Sequence, residues 1–215
     1  MNMRCFVGLD LSVRNKLALD DWRRKALPDL TPLASGRDER GQREPGSYKK
    51  VAKTGGKKSA VAVPAANFHL TLAFLGNVEA RQHETLINAL DDIQQTPVSL
   101  SLDSTGWWAG PKILHCAPSN VPDNLIELVR QVKKAARAAG IQTEQRPYQP
   151  HVTIARKATD NMPPPLFTPQ IECHFTQFHL FESFSSSGSV AYPIRKSWRL
   201  TENLTVRERL RRGLE

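Results

Sequence analysis

Two tetrapeptides in this chain pair an imidazole with a hydroxyl at the same spacing: His69-Leu70-Thr71-Leu72 and His151-Val152-Thr153-Ile154. On an extended strand, successive side chains point to opposite faces. His69 and Thr71 then share one face, with Leu70 and Leu72 as anchors on the other. His151 and Thr153 repeat the arrangement over Val152 and Ile154. Imidazole titrates near neutral pH, so two of them in one site can serve as a base and an acid together. That suits in-line displacement at phosphorus. One histidine takes a proton from the attacking water and the other gives one to the departing oxygen. The threonine hydroxyls, with the imidazolium, hydrogen-bond the non-bridging oxygens as charge builds. Protons and donors cover nucleophile and leaving group, so the chemistry asks for no metal and no cofactor. Either histidine alone reads as an ordinary structural residue; the second copy argues for a shared site.

The other histidines carry less. His83 falls beside the Leu86–Leu90 face of a helix and reads as a boundary residue. His115 lies on a strand that could border the site, with a structural role favoured. His174 and His179 sit at odd separation on one long extended run and point to opposite faces. A zinc hydrolase built on His69, His115 and His151 is the competing chemistry, but no HExxH motif, CxxC pair or carboxylate cluster supports it. Trp107-Trp108 reads as an aromatic pair packing on its own sheet, with base stacking as the alternative. Phe6 and Tyr148 are stacking candidates only by their place near the motifs. Gly55-Gly56-Lys57-Lys58-Ser59 lacks the spacing of a phosphate loop.

The elements that must position these residues follow from periodicity. Residues 3–9 read as a buried first strand. Ser12 caps a helix presenting Val13, Leu17 and Trp22 to a core and ending near Leu27-Pro28. Residues 34–60 are rich in Gly, Lys and Arg and poor in large apolar side chains, which marks a disordered basic insertion. After the first motif come a helix over about 79–95, strands over 97–103 and 112–117, and an amphipathic helix from Asp123. That helix turns Leu125, Leu128, Val129 and Val132 inward and ends at Gly140. Beyond the second motif, two extended runs cover about 171–182 and 190–200, and residues 201–215 form a charged tail. The order is that of an α+β protein with antiparallel sheets over residues 1–200, and the two motif strands hint at internal duplication.

The chain has 215 residues, 40% of them hydrophobic, and a formal net charge of +9. The length fits one domain or two small lobes. The basic balance points to a polyanionic partner, with nucleic acid the usual one. An RNA-binding module without turnover is therefore a second reading. The three cysteines are widely spaced and no secretory leader is evident, so reduced thiols and a cytoplasmic location are expected. No apolar run is long enough to span a membrane.

At the motif residues the chain resembles the two-histidine (2H) phosphoesterases, most closely the RNA 2′,3′-cyclic phosphodiesterases historically called 2′-5′ RNA ligases. Phe6-Val7-Gly8-Leu9-Asp10-Leu11 resembles their opening strand. Residues 67–76 and 146–156 resemble their two motifs with flanks, and residues 191–198 their closing strand. The resemblance implies a bilobal fold of two similar lobes, each a small antiparallel sheet backed by helices, facing across a cleft. It implies cofactor-free hydrolysis of a terminal 2′,3′-cyclic phosphate of RNA to a 2′-phosphate and leaves 2′-5′ ligation open as an accompanying activity. The oligomeric state is not legible, and a monomer is favoured. It makes His69 the acid and His151 the base, with Thr71, Thr153 and Arg156 on the phosphate. A sibling activity on a nucleotide cyclic phosphate or a 2′-5′ oligonucleotide fits the same residues. Strict alternation puts Arg156 on the face opposite His151, so its assigned role requires the strand to end or twist there.

Overall fold

Two four-stranded antiparallel sheets carry the two motifs, one each. The computed structural model describes residues 3–27, 30, 60–159, 162–186, 189–201 and 211. Apart from Ala60, Thr201 and Arg211, the basic insertion and the charged tail lie outside the described residues. In chain order the elements are β1 (Met3–Asp10), α1 (Val13–Ala26), β2 (Val61–Ala62), β3 (His69–Val78), α2 (Ala80–Asp91), β4 (Val98–Leu102), β5 (Ser104–Trp108), β6 (Ile113–Ala117) and α3 (Asp123–Ala138). The second motif follows in β7 (Val152–Arg156), then β8 (Ile171–Phe175), β9 (Gln177–Glu182), β10 (Phe184–Ser186), β11 (Ser189–Ala191) and β12 (Ile194–Arg199).

The first sheet runs β12-β9-β1-β3 and the second β2-β7-β6-β5; β4 pairs with β8 and β10 with β11. The fold is thus α+β and bilobal, as expected. The extended run over 171–182 is not one strand. It breaks at Thr176 into β8 and β9, which join different sheets. The alternation argument placing His174 and His179 on opposite faces of one strand therefore does not apply. His174 Nδ1 meets Ser99 Oγ across β4–β8, and His179 Nδ1 meets Ser197 Oγ across β9–β12.

Helix α3 buries Leu125, Leu128, Val129 and Val132, and Gly140 takes φ +71°, the left-handed turn that closes its C-terminus. Helix α1 begins at its Ser12 cap, whose hydroxyl accepts from the Asn15 backbone N–H at 3.1 Å. Its buried face differs from the sequence expectation. Val13 is 74% and Leu17 62% exposed, whereas Leu19, Trp22, Arg23 and Ala26 are buried. The face is set by Arg23, an inward charge that hydropathy assigns to solvent. Its guanidinium donates to the carbonyls of Val63 and Ile154, bonds Asp20, and lies 5.1 Å over the Phe68 ring. One buried cation thereby ties α1 to the residue before the first motif and to the backbone of the second.

Candidate active site

Both motif histidines are held the same way. His69 Nδ1 lies 2.7 Å from the carbonyl of Asn67, and His151 Nδ1 lies 2.8 Å from that of Gln149. In each case the carbonyl two residues back can only accept, so Nδ1 carries the hydrogen and Nε2 is the free, titratable nitrogen. A repeated local geometry thus fixes two equivalent tautomers.

The strands also share an irregularity that alternation does not reveal. In β3, Thr71 pairs with Gly8 and Ala73 with Val7, leaving Leu72 without a partner. In β7, Thr153 pairs with His115 and Ala155 with Leu114, leaving Ile154 without one. Each motif therefore contains a β-bulge straight after its threonine. Two consecutive residues are buried there, Leu72-Ala73 and Ile154-Ala155, and the sixth residue returns to the histidine face. In the second motif that residue is Arg156. The bulge supplies the twist its role required, and Arg156 shares the wall of one cavity with Thr71, His151 and Thr153. In the first motif the sixth residue is Phe74, on the same cavity.

His69 is not part of that wall. Its ring is packed among Phe6, Tyr192 and Phe181, at centroid distances of 4.6, 4.9 and 5.7 Å. Arg156 from the second sheet meets this cage, its Nη2 lying 3.4 Å from Tyr192 Oη. Burial pushes the His69 pKa down to about 4. The Asn67 carbonyl opposes that shift, while the charges of His151, Arg156 and Lys16 add to it. The two imidazoles are thus near enough to repel when charged. Lys16 is itself paired with Asp10 at 2.7 Å.

His151 has a different nest. Trp108 stands 4.5 Å and His115 5.6 Å from its ring, and Trp108 and His115 are 4.3 Å apart. Burial lowers the His151 pKa, opposed by the Gln149 carbonyl. His115 is buried with its Nδ1 unpartnered, and burial followed by the His151 charge pushes its pKa down to about 4. It fits because Gly106 faces it; a Cβ there would stand 2.7 Å from its Nε2.

Several sequence readings change here. Trp108 packs within its own sheet, as expected, and its neighbours there are His115 and His151. Trp107 is 40% exposed. Phe6 is buried against His69 and supports it, whereas Tyr148 donates from its hydroxyl to the Thr71 carbonyl at 2.9 Å and lines the cavity. Burial pushes the Tyr148 pKa up, keeping it a donor. The support roles of Trp108, His115 and Tyr192 were missed because they arise from pairings between distant strands. Among the described residues, no three His, Cys, Asp or Glu side chains are grouped to hold a metal ion.

The family model described as LigT like Phosphoesterase matches residues 48–115 and again 116–192, one motif in each stretch. An RNA 2′,3′-cyclic phosphodiesterase of Escherichia coli (strain K12) is 34% identical over 142 residues, covering 65% of this chain and 80% of that protein. One of Bacillus subtilis (strain 168) is 34% identical over 125 residues, covering 54% and 68%. The crystal structure of E. coli LigT complexed with 3′-AMP superposes with a TM-score of 0.73 at 28% identity, over 94% of this chain and 100% of that one.

Proposed function

The chain belongs to the LigT-like phosphoesterase family, and we propose that it hydrolyses terminal 2′,3′-cyclic phosphates of RNA to 2′-phosphomonoesters by two-histidine acid–base catalysis. The observation that carries this reading is the duplicated lock on Nδ1, which leaves two Nε2 atoms free on strands that each add a threonine hydroxyl. The names of the curated relatives support the substrate class.

Water adds to phosphorus opposite the 3′ oxygen and gives its proton to His151 Nε2. The P–O3′ bond breaks, and His69 Nε2 delivers a proton to the leaving O3′. Thr71, Thr153 and Arg156 hold the non-bridging oxygens. With a 5′-hydroxyl in place of water as the attacking group, the same step, O3′ again leaving, would close a 2′-5′ link, and its reverse would open one. His69, with a free-protein pKa near 4, is neutral at pH 7. The bound phosphate anion offsets the neighbouring positive charges, so substrate and acid proton arrive together. Residues 1–200 act as one bilobal unit in this reading, with the cytoplasm as its place; Cys5, Cys116 and Cys173 are buried free thiols.

The test is incubation with a short RNA ending in a 2′,3′-cyclic phosphate, with the product phosphate located by phosphorus NMR. His69→Ala and His151→Ala each lower turnover by ~10²-fold or more, the scale of a general acid or base, and EDTA leaves the rate unchanged. Full activity in either variant removes that histidine from the mechanism.

A further inference from the structure

We propose that the cavity beyond the histidines is a subsite for the nucleotide preceding the reacting end. The protein then prefers an RNA terminus of two or more residues over a free nucleoside cyclic phosphate. The inference rests on the phosphodiesterase reading above and adds the length of chain recognised.

The cavity measures about 840 Å³, towards the upper end of the ~300–1,000 Å³ of small-ligand sites. Thr71, His151, Thr153 and Arg156 account for one wall. The same cavity continues to Phe74, Trp107, Lys133 and Arg146, none of which the reaction uses. Trp107 is exposed, yet its indole N–H donates to the Ala158 carbonyl at 3.3 Å. An exposed ring on the cavity, pinned by its polar edge, loses little further freedom when a base stacks on it. Phe74, 58% exposed, brings a second open ring from the opposite lobe.

Charge points the same way. A cyclic phosphate bears one negative charge, which Arg156 and the threonines already meet. Lys133 and Arg146 are two further cations on the cavity. Lys133 Nζ donates to the Glu144 carbonyl at 2.9 Å and Arg146 pairs with the Glu144 carboxylate, leaving one carboxylate against the two. Cations beyond the reacting phosphate are matched by the next phosphodiester of the chain, the group that a mononucleoside lacks.

The experiment compares kcat/KM on adenosine 2′,3′-cyclic phosphate with that on a trinucleotide ending in the same group, across salt concentrations. The wild-type protein favours the trinucleotide. Trp107→Ala cuts the trinucleotide-to-mononucleoside ratio ~10-fold, the scale of one lost base stack. Arg146→Glu, at a side chain 85% exposed and so harmless to folding, weakens the salt dependence of the trinucleotide reaction by a log–log slope of about 0.7 or more. Equal wild-type rates on both substrates overturn the subsite. So does a loss in Trp107→Ala that is the same on both, or an unchanged slope in Arg146→Glu. Hydrolysis of neither substrate is a different failure, and it overturns the phosphodiesterase reading itself.

Discussion

His69 and His151 share a hydrogen-bond lock but differ in surroundings, and the difference predicts a pH profile. Burial holds both pKa values below the usual 6.5, that of His69 down at about 4. The productive free protein needs one ring charged and one neutral, a combination most populated between the two pKa values. We expect kcat/KM to peak on the acid side of pH 6.5 and to fall towards pH 8. The alkaline limb of kcat lies higher, since bound phosphate favours the imidazolium. Stopped-time assays from pH 4 to 8 check both, and a kcat/KM plateau reaching pH 8 contradicts the neutral-ring picture. His115 carries a related stability prediction. Its folded pKa is depressed to about 4, so its contribution is fully present above 6.5 and lost as pH falls towards 4, where the unfolded chain binds the extra proton. His115→Phe removes a buried nitrogen that has no partner. The variant should match the wild-type protein in stability at pH 7. Its decline between pH 6.5 and 4, followed by denaturant titration, should be shallower by up to about 1.4 kcal/mol per pH unit. At this scale the sequence was informative about the motif residues, whose spacing alone puts imidazole and hydroxyl on one face. It placed His115 near the site and Trp108 on its own sheet, but not their contact with His151, which depends on which strands become neighbours.

The bulges decide what the motif strands present. Period-two reading handles residues one to three of each motif correctly and fails at residue six, because an unpaired residue shifts the alternation by one. Leu72 and Ile154 look like any strand leucine or isoleucine, so nothing local marks them; the corresponding Leu-Ala and Ile-Ala steps become meaningful only once both registers are known. The split at Thr176 escaped for the same reason: a strand is defined by its partner, and the two halves of one extended run chose different sheets. Helix α3 was legible because its packing follows its own periodicity. Gly8 shows how tightly the first motif is held. A Cβ there would stand 2.8 Å from the Leu70 carbonyl oxygen, a backbone atom of the motif strand, and 3.4 Å from Phe181. Gly8→Ala must therefore move β1 away from β3, at the place where Thr71 and His69 are set. We expect a stability loss of ~1–3 kcal/mol together with at least tenfold lower turnover, read by thermal unfolding and steady-state assay. An unchanged rate would mean that β3 keeps its position independently of β1.

At the scale of the molecule, the two lobes form one site only if they stay in register. The paired motifs made a shared site legible in the sequence, but not the means of holding it, because the connecting residues carry no motif. Three bonds serve that purpose. Tyr148 precedes the second motif and bonds the backbone of the first. Arg156 ends the second and meets Tyr192 beside His69. Arg23 reaches from α1 to the Ile154 carbonyl, at the bulge of the second motif, while lying over Phe68 next to His69. Of these three, Arg23 is the one that stands away from the cavity, joining the residue before the first motif strand to the backbone of the second, and it is 7% exposed. Its loss therefore separates holding the lobes from binding phosphate. Arg23→Met keeps much of the side-chain volume but leaves the carbonyls of Val63 and Ile154 without their donor, at a cost of about 2–4 kcal/mol. If the bond also sets the bulge, turnover at a temperature where the variant remains folded drops mainly through kcat, since Arg156 and the threonines still face substrate. Circular dichroism melts alongside kcat and KM decide the matter. A variant that loses stability but keeps wild-type kcat would confine Arg23 to the core and assign the alignment of the lobes to Tyr148 and Arg156 alone.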